Sequence, residues 1–458
     1  MARALAIDRS KLPDPGPARS FALPAIEKSR LANGLRVWTV RHTQIPVVSF
    51  ILLIDCGASA DPAGQDGLAA LTADMLDEGS GDRSAIQMHQ ALALIGAQFD
   101  TDIGSDATAV SVTSLSRVAP RALGIVADIV ARPALREFDF ARVRQLRLHR
   151  LKQLKDSPAA VADRVFLKLL YGADPYGHSP IGSESTLSAL SVEDVRAFHQ
   201  REIVPASATL VAVGDCEHAA NVRLAEDVFT GWTAPEKPPT IPSAPAADAL
   251  VRLAIVPRPG APQSELRIGH VAVERSSPDY HALSLANAIL GGQFVSRVNL
   301  NLREDKGFTY GARTAFEFRR RRGPFVLQAS VQSAATARAI EESFAEVTGI
   351  RGPRPVTQEE LSFGIAALTR GYARNFETAD QIGRAVMQLA LYDLPDDYYA
   401  QYVSRIEAVT RDDVSRVMAA HVDPARLTTV IVGDPSMFTD ELPRLGLGAP
   451  QIMGPDAF

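Results

Sequence analysis

Apolar positions follow two different periods along this chain. Val47-Val-Ser-Phe-Ile-Leu-Leu-Ile54 is a nearly continuous apolar run and predicts a buried strand. Ala109-Val-Ser-Val-Thr-Ser114 alternates, which predicts a strand with one half-exposed face. Residues 120–131, 140–155 and 161–170 carry apolar side chains at helical spacing. Pro120 suits an opening turn of the first helix, and Pro133 lies just past its end. Strands and helices do not alternate as regular βαβ units. The pattern therefore predicts an α+β fold, a mostly antiparallel sheet covered by helices on one face.

The same pattern is used twice. Residues 191–215 lie over 410–434 without a gap, and nine of the 25 positions are identical, among them Asp194/Asp413, Pro205/Pro424, Gly214/Gly433 and Asp215/Asp434. Each copy reads as a Ser- or Thr-capped helix, a Pro-containing turn and an apolar β-branched strand that ends at Gly-Asp. Upstream, 139–171 lies over 360–392 as a long helix, a polar break and an amphipathic helix ending in Tyr171 or Tyr392. A weaker echo pairs the helix near 67–76 with one near 281–290. Between the copies, Thr233 to Pro245 holds five prolines in thirteen residues, too many for a helix or an inner strand. The expected organisation is an N-terminal arm (1–25), a first half (26–232), a Pro-rich linker (233–247) and a homologous second half (248–458).

Composition narrows the class. A chain of 458 residues with 46% hydrophobic and 22% charged residues is an ordinary globular protein long enough for a large core. The 48 Lys+Arg against 53 Asp+Glu leave a net charge of −5, so no attraction to nucleic acid or to an anionic membrane is expected. No apolar run reaches the ~20 residues of a membrane helix. The two cysteines, Cys56 and Cys216, exclude a disulfide framework and a Cys-based metal cluster, and are expected to be inert. With no signal-type apolar segment at the start, the expected compartment is the cytoplasm.

Several chemistries have no motif here. The chain has no GxGxxG, no GxxxxGK[ST] and no GxSxG, which leaves no dinucleotide, P-loop or serine-hydrolase reading. None of the nine histidines has another at i+4, so neither HExxH nor HxxEH occurs. A zinc site needs at least three N, O or S ligands, and no such constellation is visible.

Two segments nevertheless resemble one family. Gly67-Leu-Ala-Ala-Leu-Thr-Ala-Asp-Met75 is similar to the GLAHxxEHM helix of the M16 metallopeptidases, among them pitrilysin, insulin-degrading enzyme and the mitochondrial processing peptidase. The frame residues Gly67, Leu68, Ala69 and Met75 match. The two His positions are Ala70 and Asp74, and the position of the base Glu is Ala73. The family's third ligand, a Glu some 75 residues on, has no counterpart: Arg142 to Lys155 contains no acid, and His149 and Arg150 stand near the expected place. The second segment, Asn299-Leu-Asn-Leu-Arg303-Glu-Asp-Lys-Gly-Phe-Thr-Tyr310, resembles the family's second-half motif, with Arg303 and Tyr310 seven residues apart. The resemblance runs from about residue 28 to 437.

The resemblance implies a chain that binds no metal itself. Ala70, Ala73 and Asp74 cannot form a zinc centre, whereas Arg303 and Tyr310 are expected to grip substrate and stabilise the transition state in trans. It implies a two-chain M16-type metallopeptidase in which an HxxEH-bearing homologue supplies zinc. Self-association into a homodimer without that partner is also compatible. A catalytically inactive structural or assembly protein of the same fold is the alternative. Asp74 is expected to be a solvated helix residue and His178 a loop hydrogen-bonder. Arg319 to Arg322 reads as a solvated loop or strand end, with a charge contact to an acidic partner or peptide as the other reading.

Overall fold

The computed structural model describes residues 22–233 and 251–454. Most of the N-terminal arm, the Pro-rich linker after Thr233 and residues 455–458 lie outside the described residues. In the first part the strands are β1 (Ile26–Arg30), β2 (Arg36–Arg41), β3 (Val47–Ile54), the two-residue β4 (Gly79–Ser80) and β5 (Arg83–Ser84), β6 (Gln98–Ile103), β7 (Thr108–Leu115) and β8 (Ala208–Gly214). In the second they are β9 (Leu253–Pro257), β10 (Gln263–Val271), β11 (Thr309–Phe316), β12 (Pro324–Gln332), β13 (Thr428–Gly433) and β14 (Gln451–Ile452).

Two six-stranded sheets result, ordered β1-β2-β8-β3-β7-β6 and β11-β12-β10-β13-β9-β14. Read from opposite ends, and leaving aside β1 and β14, the remaining five strands share one topology: β2-β8-β3-β7-β6 corresponds to β9-β13-β10-β12-β11. In both, the first and last strands of the unit pair in parallel (β2 with β8, β9 with β13), and β3 or β10 runs antiparallel between its neighbours. The duplication seen in the sequence is thus a duplication of topology. The sheets are mostly antiparallel, as expected.

The helices repeat as well. In the first part they are α1 (Leu68–Leu76), α2 (Ala85–Leu94), α3 (Ala119–Ala131), α4 (Glu137–Lys155), α5 (Pro158–Tyr171), α6 (Glu184–Ala189), α7 (Val192–Glu202) and α8 (His218–Val228). The second has α9 (Tyr280–Asn287), the single turn α10 (Arg297–Asn299), α11 (Thr336–Ile350), α12 (Gln358–Thr369), α13 (Ala379–Tyr392), α14 (Tyr398–Glu407) and α15 (Arg411–His421). The repeated cap is real: Ser191 and Thr410 accept from the backbone N–H of Asp194 and Asp413, whose carboxylates return the bond in capping boxes.

One expectation needs correction. Each half's own helices cover only one face of its sheet, but the other face is not open. Val161, Val165, Phe166 and Leu170 of α5, a first-half helix, pack on Ala254, Val256, Val430 and Val432 of the second sheet. Reciprocally, Ile382 and Val386 of α13 pack with Tyr372 and Phe376 on Val40, Ile51, Val211 and Val213 of the first sheet. Each half lends one amphipathic helix to the other, so both sheets are covered on both faces. This explains the nearly continuous apolar run of β3, buried from Val48 to Ile54.

The arginine run is also corrected. Arg319 to Arg322 sits in the β11–β12 hairpin of the second half and reaches across to the first. Arg320 bonds Asp55 at 2.6 Å, and its backbone N–H donates to Asp106 at 2.9 Å. Arg321 forks onto both oxygens of Asp174 at 2.9 and 3.0 Å. Tyr171 donates to the Arg322 carbonyl at 2.9 Å. The run is an intramolecular clamp between halves, because buried carboxylates of the first half, Asp174 and Asp106, require partners there.

Candidate functional site

Helix α1 carries the frame of the degenerate motif, and its frame residues are packing residues. Leu68, Ala69 and Met75 are buried in the core of the first half. Gly67 sits at φ +96°, and a Cβ there would lie 2.8 Å from the Gly182 Cα, so no other residue fits the turn. The helix start is capped from outside. Asp61, wholly buried, accepts from the N–H of Gly67 at 2.7 Å and of Ala69 at 2.6 Å. His178 Nε2 donates to Asp61 and to the Ala58 carbonyl, both at 3.0 Å. Burial alone would lower the His178 pKa, but the bond and charge of Asp61, with Asp66 nearby, raise it instead. His178 is the loop hydrogen-bonder expected.

The chemical positions are different in kind. Ala70 and Ala73 are buried methyl groups. Asp74 is not simply solvated: it forms an ion pair with Arg147 of α4. Arg147 itself is mostly buried and also donates to the Pro180 carbonyl at 3.1 Å. The residue of α4 that faces Asp74 is therefore Arg147. Of the two expected near this place, His149 bonds Gln145 at 2.9 Å on the exposed side, and Arg150 only lines the same pocket of about 380 Å3. Zinc does not fit here. Asp74 is the one ligand-type side chain left at the three motif positions, and Arg147 puts a fixed positive charge against it. Among the described residues no group of three or more His, Cys, Asp or Glu could hold a metal ion.

The second candidate is built on irregular backbone. Arg303 stands on π-helical turns, Leu300–Asp305, a geometry that often marks functional positions. Its guanidinium lies 4.0 Å over the Phe294 ring. The Glu304 carboxylate is 3.5 Å from Nη1, yet this nitrogen is shut off from solvent without a hydrogen-bond partner. Tyr310 follows through Gly307, at φ +64°, and is the second residue of the edge strand β11. The pairing of β11 with β12 shifts register between Thr309 and Ala312, and this bulge turns Tyr310 outward, 92% exposed.

Two neighbours hold the bulge. The Thr309 hydroxyl donates to the Ser330 carbonyl at 2.7 Å and accepts from the Gly311 N–H at 3.1 Å. Asn299, buried, accepts from the Ala312 N–H at 2.9 Å and donates to the Gln293 carbonyl at 3.2 Å. Arg303 and Tyr310 then line one pocket of about 350 Å3, together with Gln263, Glu304, Gly307 and Gln332. It offers a cationic fork and a neutral hydroxyl donor toward one opening. The structure thus brings Arg303 and Tyr310 together and puts Ala70, Ala73 and Asp74 elsewhere, on α1. Sequence reasoning missed Arg147, Asp61, Asn299 and Thr309. Asn299 and Thr309 stand inside the quoted motif, but only the bulge gives them a task.

Comparison with known proteins agrees with this architecture. Residues 36–182 match the family profile described as insulinase (peptidase family M16), and residues 189–368 match the one described as peptidase M16 inactive domain. An uncharacterized zinc protease of Mycobacterium tuberculosis is 24% identical over 435 residues, 92% of this chain and 96% of its own. The mitochondrial-processing peptidase subunit beta of Lentinula edodes is 26% identical over 291 residues, 60% of each chain. The crystal structure of a peptidase M16 inactive domain from Pseudomonas fluorescens superposes with a TM-score of 0.84 at 25% identity, covering 90% of this chain and 98% of that one. A protease from Helicobacter pylori shares the fold, with a TM-score of 0.82 at 19% identity over 90% and 100% of the two chains. With one M16 profile on each side of residue 185 and the fold shared over nine-tenths of its length, this chain belongs to the M16 peptidase family.

Proposed function

We propose that this chain is the zinc-free, substrate-binding subunit of a two-chain M16-type metallopeptidase. The observation that carries this reading is the single pocket that Arg303 and Tyr310 line together, one with a cationic fork and the other with an exposed phenol hydroxyl. A buried Arg Nη1 without a hydrogen-bond partner is costly to hold, and the Tyr310 ring stands in solvent with no packing to offset its exposure. Here Arg303 grips a backbone carbonyl of the bound peptide, and Tyr310 donates to the oxygen that gains charge as the bond is broken. This chain binds no cofactor. Zinc, water and base come from an HxxEH-bearing M16 homologue, with which it pairs in the cytoplasm. In that partner's absence the chain self-associates as a homodimer.

The test is co-expression with an HxxEH-bearing homologue and a peptide-cleavage assay with and without chelator. Cleavage that needs both chains and is lost with chelator is expected. Tyr310→Phe keeps the ring and removes one donor, so turnover should fall ~100–1000-fold. Arg303→Ala should lower turnover and raise KM. If both variants keep wild-type kinetics, or the two chains neither co-elute nor cleave, the chain is instead an inactive assembly protein of this fold.

A further inference from the structure

A further pocket lies among the helices of the second half and shares no lining residue with the pocket of Arg303 and Tyr310. It measures about 490 Å3 and is lined chiefly by Arg275, Tyr280, Arg374, Gln388, Tyr398 and Tyr402. That volume lies in the range of small-molecule sites. Its centre is Arg275, only 7% exposed. A guanidinium this buried ordinarily meets a carboxylate. None of the described carboxylates pairs with Arg275; aromatic rings surround it instead. Its Cζ is 3.6 Å from the Tyr280 ring centroid, 4.8 Å from that of Tyr398 and 5.8 Å from that of Tyr392.

Stacking on Tyr280 occupies one face of the guanidinium and leaves its edge, where the N–H donors are. A second polar group lies beside it. Tyr398 is 5% exposed, and its buried hydroxyl makes no well-formed hydrogen bond, the Arg275 guanidinium being the donor beside it. A third is His281, packed on Tyr398 and Tyr402 with ring centroids 5.5 and 5.6 Å away, whose Nε2 is buried and also unpaired. The local field is positive. Burial first, then the charges of Arg405 and Arg275, push the His281 pKa down to about 4. Arg374 adds another cation at the rim and is exposed.

We propose that this pocket is a binding site for a small organic oxyanion, a carboxylate or a phosphate monoester, with a flat or apolar body. The oxyanion takes the free edge of Arg275, which suits two-point binding. The Tyr398 hydroxyl donates to the same group, and the tyrosine rings stack on the body. The site is independent of Arg303 and Tyr310 and of any partner chain.

Calorimetric titration of the purified chain with benzoate and with phenyl phosphate tests it, with benzyl alcohol as the uncharged control. Binding of one or both anions and none of the alcohol is expected, and which anion binds tells carboxylate from phosphate. Arg275→Gln should weaken that binding at least about tenfold, the value of one charge-assisted bond. Because Arg275 is buried, Tyr398→Phe and the exposed Arg374→Ala provide folded variants, each expected to weaken binding severalfold. No binding of either anion at millimolar concentration overturns the proposal. So does binding that the alcohol matches, or that none of the three substitutions weakens.

Discussion

Arg321→Ala should be among the most damaging single substitutions outside the core, although the side chain is part exposed. Arg321 meets Asp174 through two bonds of 2.9 and 3.0 Å, and the Asp174 side chain is 1% exposed. Without the guanidinium, the buried carboxylate keeps one bond, from the Tyr176 N–H at 2.8 Å. An uncompensated buried charge of this kind costs about 3–5 kcal/mol. Loss of stacking on the Tyr176 ring, 4.4 Å away, adds about 0.5–1 kcal/mol. Asp174→Asn should cost less, about 1–2 kcal/mol, because the amide is neutral and Arg321 reaches water. In the double variant no buried charge is stranded, so its cost should fall below the sum of the singles by about 2 kcal/mol or more. Urea unfolding followed by far-UV circular dichroism and by tryptophan fluorescence measures all three. The two tryptophans, Trp38 and Trp232, are both in the first half, whereas dichroism reports on both halves. With α5 and α13 exchanged between sheets, the wild-type transitions should coincide. An Arg321→Ala loss under ~1 kcal/mol, or additive singles, would refute the clamp.

Two histidines should give stability opposite pH dependences. The His281 pKa is lowered to about 4, so its contribution is complete above the unfolded value of ~6.5 and is lost as pH falls toward 4; His281→Phe should flatten that acid limb in melts between pH 4 and 7. The His178 pKa is raised, chiefly by Asp61 against the effect of burial, so its contribution is complete below ~6.5 and fades as pH rises through the folded value; His178→Gln should remove that slope. Metal analysis of the purified chain should find no stoichiometric zinc. Ala70→His with Ala73→Glu and Asp74→His should still bind none, because Arg147 remains; adding Arg147→Glu should restore one zinc, and equal zinc content in both variants would sink the role given to Arg147.

The repeat made much of the fold legible, because the capped helix, Pro turn and Gly-Asp strand are local in sequence. Val47–Ile54 and the helices starting near Pro120 and Val161 were readable for the same reason. The exchange of α5 and α13 was not. An amphipathic helix announces that one face is buried, not which sheet buries it, although the eight-residue apolar run of β3 signals cover on both sides. Arg319 to Arg322 misled for a related reason. A charge run looks solvated until its partners, 147 residues away in the case of Asp174, are brought beside it. At the candidate site, Arg303 and Tyr310 were picked out by the resemblance to the M16 second-half motif, in which an Arg and a Tyr stand seven residues apart. Asn299, Thr309 and Arg147 were not, since their roles depend on a bulge and on a helix–helix contact.

The two halves have treated their unusual charges in opposite ways, and this bears on function. On α1, loss of the metal-binding residues is compensated. Ala70 and Ala73 fill their positions with methyl groups, and Arg147 supplies Asp74 with the positive charge a cation would have given. The helix pair keeps its packing and loses its capacity for zinc. At Arg303 and Tyr310 no such settling has occurred. Burying Phe294 or Tyr310, or pairing Arg303 Nη1, would be stabilising, yet Phe294 is 66% exposed, Tyr310 is 92% exposed and Nη1 has no hydrogen bond. A bulge held by Thr309 and Asn299 maintains that arrangement. A chain kept only as a scaffold would be expected to relax both places alike. Neutralisation at one and retained exposure at the other is what a subunit would show if its binding surface still meets a substrate beside a zinc centre that another chain carries.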